Sequence, residues 1–157
     1  MRTVANSLTP DLMTTLSMVA DLARDNRDDW WVIAGAAAAL HGATDIIVGD
    51  VDVVMSARDA ESVLAACAVV PMRGAGNALF RSRVFAQWCQ PPMTVEIMAD
   101  FDYFSARSWH RVALSTRTMI GLGSFSVFVP DRAELTAMFR AFGRPKDVER
   151  ARLLEML

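Results

Sequence analysis

Apolar and polar positions follow two periods along this chain. Leu12, Leu16, Val19 and Leu22 recur at helical spacing behind Thr9-Pro10-Asp11. Thr suits the helix cap, Pro the first turn, and an acid the positive helix end. This predicts a helix to about residue 24, with one face buried. The polar run 24–29 reads as a loop. An apolar strand follows at 31–34, breaks at Gly35 and leads into a short alanine-rich helix at 36–41. Turns at Gly42 and Gly49 deliver the chain to a strand over 50–54.

The second half continues in the same manner. Residues 56–70 read as a helix capped by Ser56, and 72–77 as a glycine-bearing turn. Residues 78–88 alternate as a strand, with Leu79, Arg81, Arg83, Phe85 and Gln87 on one face. Pro91-Pro92 separates it from a strand at 94–99, and a hairpin is the economical pairing. Residues 100–114 read as loop with a short helix; Phe101, Tyr103, Phe104 and Trp109 form a minor core or an interaction patch there. Short strands are expected around Gly121 and Gly123. Asp131 and Glu134 have capping-box spacing before a helix with Leu135, Met138, Phe139 and Phe142 on its apolar face. Gly143 suits the C-terminal cap, and a last helix covers 147–157. Strands alternating with helices, then helices alone, predict a mixed α+β sheet domain.

Composition adds bounds. A chain of 157 residues, 53% hydrophobic and 22% charged, reads as one globular domain. A net charge of −2 encodes no broad attraction to nucleic acid or anionic lipid. Any phosphate binding must come from local clusters: Arg81/Arg83, Arg107/Arg111 and Arg140/Arg144/Lys146. Cys67 and Cys89 are too few for a disulfide framework and read as buried free thiols. No apolar run approaches the roughly 20 residues of a membrane span. The N-terminus, MRTVANSLTPD, lacks an apolar signal core. The expectation is a cytoplasmic protein.

The chemistry concentrates at 30–54. On a strand, Asp50 and Asp52 point one way and Val51 and Val53 the other. Two carboxylates about 7 Å apart repel by about 2 kcal/mol at an effective dielectric of about 20. A divalent cation between them would relieve this, and Mg²⁺ favours one or two carboxylates plus substrate phosphates. The strand–Gly35–helix junction offers free N–H groups for a phosphate. Glu96 alternates with core-facing Val95 and Ile97, and completes a three-carboxylate surface if its strand lies beside the Asp strand. Asp100 and Asp102 share its parity as substitutes. Three carboxylates with two metals are the apparatus of in-line phosphoryl or nucleotidyl transfer. A phosphohydrolase fits less well, because only His41 and His110 are present. His41 reads as a packing residue.

These residues carry a resemblance. Ile33-Ala34-Gly35-Ala36, a spacer, then Asp50-Val51-Asp52-Val53 resembles the signature of the DNA polymerase β-like nucleotidyltransferases. The stretch from Val129-Pro130-Asp131 to Arg144-Pro145-Lys146-Asp147 is similar to the ending of small bacterial minimal nucleotidyltransferases and their antitoxin-type relatives. The resemblance implies a central mixed sheet over about 30–129 with helices at 131–157. It implies Asp50, Asp52 and Glu96 as ligands of one or two Mg²⁺ ions, with Glu96 doubling as the base. Gly35, Ala36, Arg140, Arg144 and Lys146 would bind an NTP, whose NMP passes to an acceptor hydroxyl. Ala36 stands where that family carries Gly or Ser. Loss of a serine hydroxyl there weakens triphosphate binding by about 1.5–3 kcal/mol. The acceptor is expected to be a small molecule or a protein rather than nucleic acid, and a partner protein or a homodimer would complete the site. The alternative is a binding protein of the same fold, such as the antitoxin of a toxin–antitoxin pair.

Overall fold

The computed structural model describes residues 8–157. The stretch without a signal core falls largely on residues 1–7, outside the described residues. The elements are α1 (Pro10–Leu22), β1 (Trp31–Ile33), α2 (Ala34–Leu40), β2 (Val51–Val54), α3 (Ala57–Ala66), β3 (Phe80–Trp88), β4 (Val95–Ser105), β5 (Ser108–Arg111), β6 (Thr118–Gly121), β7 (Ser126–Val129), α4 (Arg132–Phe142) and α5 (Pro145–Glu155). The main sheet runs β1-β2-β4-β3, with β5 paired to β4. Strand β2 is parallel to β4, and the other pairs are antiparallel. Strands β6 and β7 form a separate ribbon. The expected α+β architecture, a mixed sheet flanked by helices, is what the chain adopts.

Local chemistry explains the element starts. Thr9 Oγ1 accepts from the Leu12 amide at 3.2 Å and Ser56 Oγ from the Asp59 amide at 3.3 Å. Asp131 accepts from the Glu134 amide at 2.8 Å. Each satisfies a helix-end donor that otherwise has no partner. Gly143 closes α4 at φ 72°, a left-handed conformation that costs glycine little. The alternation of β2 is also as expected. Val51 and Val53 are fully buried, and Asp52 between them is half-buried on the opposite face.

Four expectations need correction. Residues 100–114 are not loop and helix. Strand β4 runs to Ser105 and turns through Ala106 and Arg107, at φ 50° and 65°, into β5. Two consecutive positive-φ residues make a two-residue hairpin turn, a geometry usually announced by Asn-Gly. Helix α3 stops at Ala66, well before Val70, and Ala68 then turns at φ 57°. Of the cysteines, Cys67 is half-buried and Cys89 is exposed, so neither is the buried thiol expected. Finally, Glu134 does not close a capping box. Its carboxylate accepts from the Ser115 and Thr116 amides and both their hydroxyls, at 2.6–3.2 Å.

That last set fastens α4 to the segment entering β6. The Thr116 hydroxyl in turn accepts from the Asp131 amide at 2.9 Å. His41 is a packing residue, its Nε2 2.7 Å from the Pro130 carbonyl. The aromatic residues form a cluster in which Phe80, Phe101 and Tyr103 meet Phe142 of α4. None of the helices among the described residues is long and apolar enough to cross a membrane. Glu134→Ala should lower the unfolding free energy by about 2–3 kcal/mol, the scale of charge-assisted bonds to a partly buried carboxylate. Urea unfolding measures this; a loss under 0.5 kcal/mol contradicts the clamp.

Candidate active site

The sheet register assembles the carboxylates. In the parallel β2–β4 pair, Asp52 stands directly opposite Glu96. Asp50 precedes β2 by one residue. One oxygen from each of Asp50, Asp52 and Glu96 lies within 4.8 Å of the others. Asp50 is the most exposed of the three. Like charges at this spacing repel by about 3–4 kcal/mol per pair at an effective dielectric of about 20, before solvent screening. Burial raises the Asp52 pKa to about 8, reinforced by the Asp50 charge and by hydrogen bonding to Glu96. Burial and the Glu96 charge also raise Asp50, opposed by Lys146 and Arg150. Three hard oxygen donors with unneutralised charge fit a Mg²⁺- or Mn²⁺-type ion.

Asp100 and Asp102, the substitutes that strand parity offered for Glu96, do not join this cluster. Asp100 adopts φ 51°, which turns the strand face over. Beyond it Phe101, not Asp100 or Asp102, lines the cleft. Asp102 receives Arg81 at 3.0 Å and Arg111 at 2.5 Å, while Asp100 receives Arg111 at 3.0 Å.

The carboxylates floor a cleft of about 1200 Å³. One wall is the β1–α2 junction with α5. The break expected at Gly35 occurs one residue earlier. Ala34 carries the positive φ, 57°, and α2 begins there. An alanine held left-handed costs about 1–2 kcal/mol, and such strain gathers at functional sites. Gly35 has a different task. A Cβ on it would meet Arg150 Nη2 at 2.9 Å, so glycine lets the guanidinium lie against the α2 backbone. Ala36 is 1% exposed, its methyl in the core, and it does not line the cleft; Ala34 and Gly35 do.

The basic residues divide. Lys146 lines the cleft. Arg144 borders it while donating to fully buried Asp147 at 2.6 and 3.0 Å and lying 4.7 Å over Phe80. Arg140 stands off the cleft wall and pairs with Glu155 at 2.5 Å. Arg150 was missed by sequence reasoning. It lines the cleft, and its guanidinium has no hydrogen bond or ion pair among the described residues. Burial depresses its pKa, partly offset by Asp147. The available signal was its place four residues after Lys146, on the same face of α5.

No protein-family model and no curated protein matches the chain. Solved structures do. A Thermotoga maritima protein described as a nucleotidyltransferase superposes with a TM-score of 0.73 at 19% identity, covering 94% of this chain and 92% of its own. The lincosamide antibiotic adenylyltransferase LnuA, bound to lincomycin, gives 0.59 at 12%, covering 89% and 94%. ANT(2'')-Ia in complex with adenylyl-2''-tobramycin gives 0.58 at 11%, covering 92% and 87%. The chain has a DNA polymerase β-like nucleotidyltransferase fold.

The raised Asp52 pKa has a sign. The folded group keeps its proton up to about pH 8, whereas the unfolded one releases it near the ordinary aspartate value of 3.8. Metal-free stability should therefore fall as pH rises through that window. Asp52→Asn should flatten this dependence and raise the metal-free Tm at pH 8 by several degrees. Thermal unfolding in EDTA from pH 4.5 to 8.5 tests it; a wild-type Tm that rises with pH through carboxylate ionisation contradicts the assignment.

Proposed function

We propose that this chain is a Mg²⁺-dependent nucleotidyltransferase that moves NMP from an NTP to an acceptor hydroxyl. The observation that carries the reading is the conjunction of the Asp50–Asp52–Glu96 cluster with a half-buried Arg150, without a hydrogen bond or ion pair among the described residues, on the same cleft. The fold supports it, since the solved neighbours include antibiotic adenylyltransferases.

Asp50, Asp52 and Glu96 would hold one or two divalent cations, which when bound supply Lewis-acid charge at the phosphoryl oxygens. Arg150 and Lys146, one helical turn apart, would receive the β- and γ-phosphates beside Gly35. Arg144 is preorganised by Asp147 and adds charge at the rim. The acceptor oxygen forms a bond to the α-phosphorus, the bond to the β-phosphate oxygen breaks, and pyrophosphate leaves. Glu96, whose Oε1 lies 3.5 Å from Gln87 Nε2, would take the hydroxyl proton. Small-molecule acceptors, as in the two antibiotic complexes, agree with a cleft of this size. The binding-only alternative rested on Ala36, and its buried methyl gives that reading no support.

Incubation with labelled NTPs, Mg²⁺ and metabolite pools should yield labelled product and pyrophosphate. An NTP should also raise the Tm only when a divalent cation is present. Arg150→Ala should weaken NTP binding 10–100-fold, the scale of one charge-assisted phosphate contact. Asp52→Asn should abolish the cation-dependent shift. An NTP shift that persists in Asp52→Asn and Arg150→Ala contradicts the reading.

A further inference from the structure

From the arrangement of charge around the cleft we infer that the acceptor is an anion, a small hydroxyl compound bearing a carboxylate or a phosphate. This rests on the nucleotidyltransferase reading. In-line displacement places the attacking hydroxyl and the leaving pyrophosphate on opposite sides of the α-phosphorus. The pyrophosphate side is marked by Gly35, Lys146 and Arg150, next to β1 and β2. The opposite side is strand β3, beyond β4 in the sheet.

Strand β3 presents arginines to that side. Gln87 pairs in register with Glu96 and Phe85 with Met98. Arg83 and Arg81 also line the cleft, at and beyond the level where β4 turns over at Asp100. Arg83 lies about 13 Å along the strand from Gln87. Its sole ion-pair partner among the described residues is Asp100, at 3.9 Å. Arg73 faces the same space from the segment outside β3, which is pinned to that strand's edge by Met72 N–H to the Phe85 carbonyl at 2.8 Å and Asn77 N–H to the Phe80 carbonyl at 2.9 Å. Arg73 has no hydrogen-bond or ion-pair partner among the described residues. Arg81 is neutralised by Asp102 and lies over Trp109, so it contributes less.

Glu61 is the opposing charge. It is the single acidic side chain on the cleft wall, among the described residues, outside the Asp50–Asp52–Glu96 cluster. Two arginines with little or no internal compensation line the same cleft. A cationic aminosugar would meet that excess of like charge, whereas a carboxylate or phosphate would make charge-assisted bonds to the guanidinium forks.

Three probes on one six-carbon hydroxyl skeleton separate the outcomes: glucose 6-phosphate, gluconate and glucosamine. Each is titrated by calorimetry into the full chain saturated with Mg²⁺ and α,β-methylene-ATP, so that the nucleotide half is filled. At least one anionic probe should bind at least tenfold more tightly than glucosamine, and its affinity should fall with added salt. Which anion wins distinguishes phosphate from carboxylate. The double variant Arg73→Ala, Arg83→Ala should weaken that binding at least tenfold while leaving affinity for the nucleotide analogue within twofold. Glucosamine binding as tightly as both anions overturns the inference. So does no binding of either anion to nucleotide-loaded protein, or anion binding unchanged in the double variant. Failure of the α,β-methylene analogues of all four NTPs to bind would instead overturn the nucleotidyltransferase reading.

Discussion

The parallel pairing of β2 with β4 is the constraint on which the rest depends. It sets Asp52 opposite Glu96 and brings Asp50 into the same cluster. The pairing is held by what lies on the reverse face. Val51, Val53, Val95 and Ile97 are essentially fully buried. Burying such side chains contributes about 1.5–3 kcal/mol each, enough to hold together carboxylates that repel one another. Slipping the register by one residue would turn these side chains to the wrong face. The acid cluster is thus held in register chiefly by aliphatic packing on the reverse face of the sheet.

The C-terminal helices supply the opposing charge. Asp147 is fully buried beneath Arg144, and its carboxylate also accepts from the Arg144 amide at 3.3 Å. That fixes the start of α5 and so the direction from which Lys146 and Arg150 approach. Arg150 then reaches the backbone of Gly35, far away in sequence, because no Cβ intervenes. Glycine here serves a side chain arriving from another element. The positive φ of the junction falls on Ala34 instead, beside the Arg150 guanidinium on the same wall of the cleft.

Much of this was legible in the sequence wherever the signal was local. Thr9, Ser56 and Asp131 were readable caps because capping links residues three apart, and Gly143 was readable because αL helix ends favour glycine. The Asp50–Val51–Asp52 alternation needed only the period of a strand. Features depending on tertiary context were not legible. The β4–β5 turn uses Ala106 and Arg107, which carry no turn signature, so the surrounding sheet imposes their conformation. The flip at Asp100 defeated the parity argument for Asp100 and Asp102, since one positive φ reverses every later face assignment. Glu134 had the right spacing for a capping box, but Ser115 and Thr116 offered its carboxylate more donors. Arg140 and Arg150 are both basic residues on C-terminal helices, and only the packing of α5 across α2 decides which one enters the cleft.

Net charge was the least informative bound. A chain at −2 overall contains a cleft lined by six cationic side chains, Arg73, Arg81, Arg83, Arg144, Lys146 and Arg150, against four carboxylates. Electrostatic selection acts over about a Debye length, roughly 8–10 Å, so a ligand inside the cleft responds to its walls and not to the chain's total. The walls are also not equivalent. Arg144 and Arg81 have their charge met by Asp147 and Asp102, and serve mainly to hold α5 and the β4–β5 hairpin in place. Arg150 on one side and Arg73 on the other have no such partner. Charge left uncompensated on both sides of a carboxylate cluster is costly for the folded chain alone. Under the proposed function, cations on the carboxylates and anions on the arginines would offset that cost.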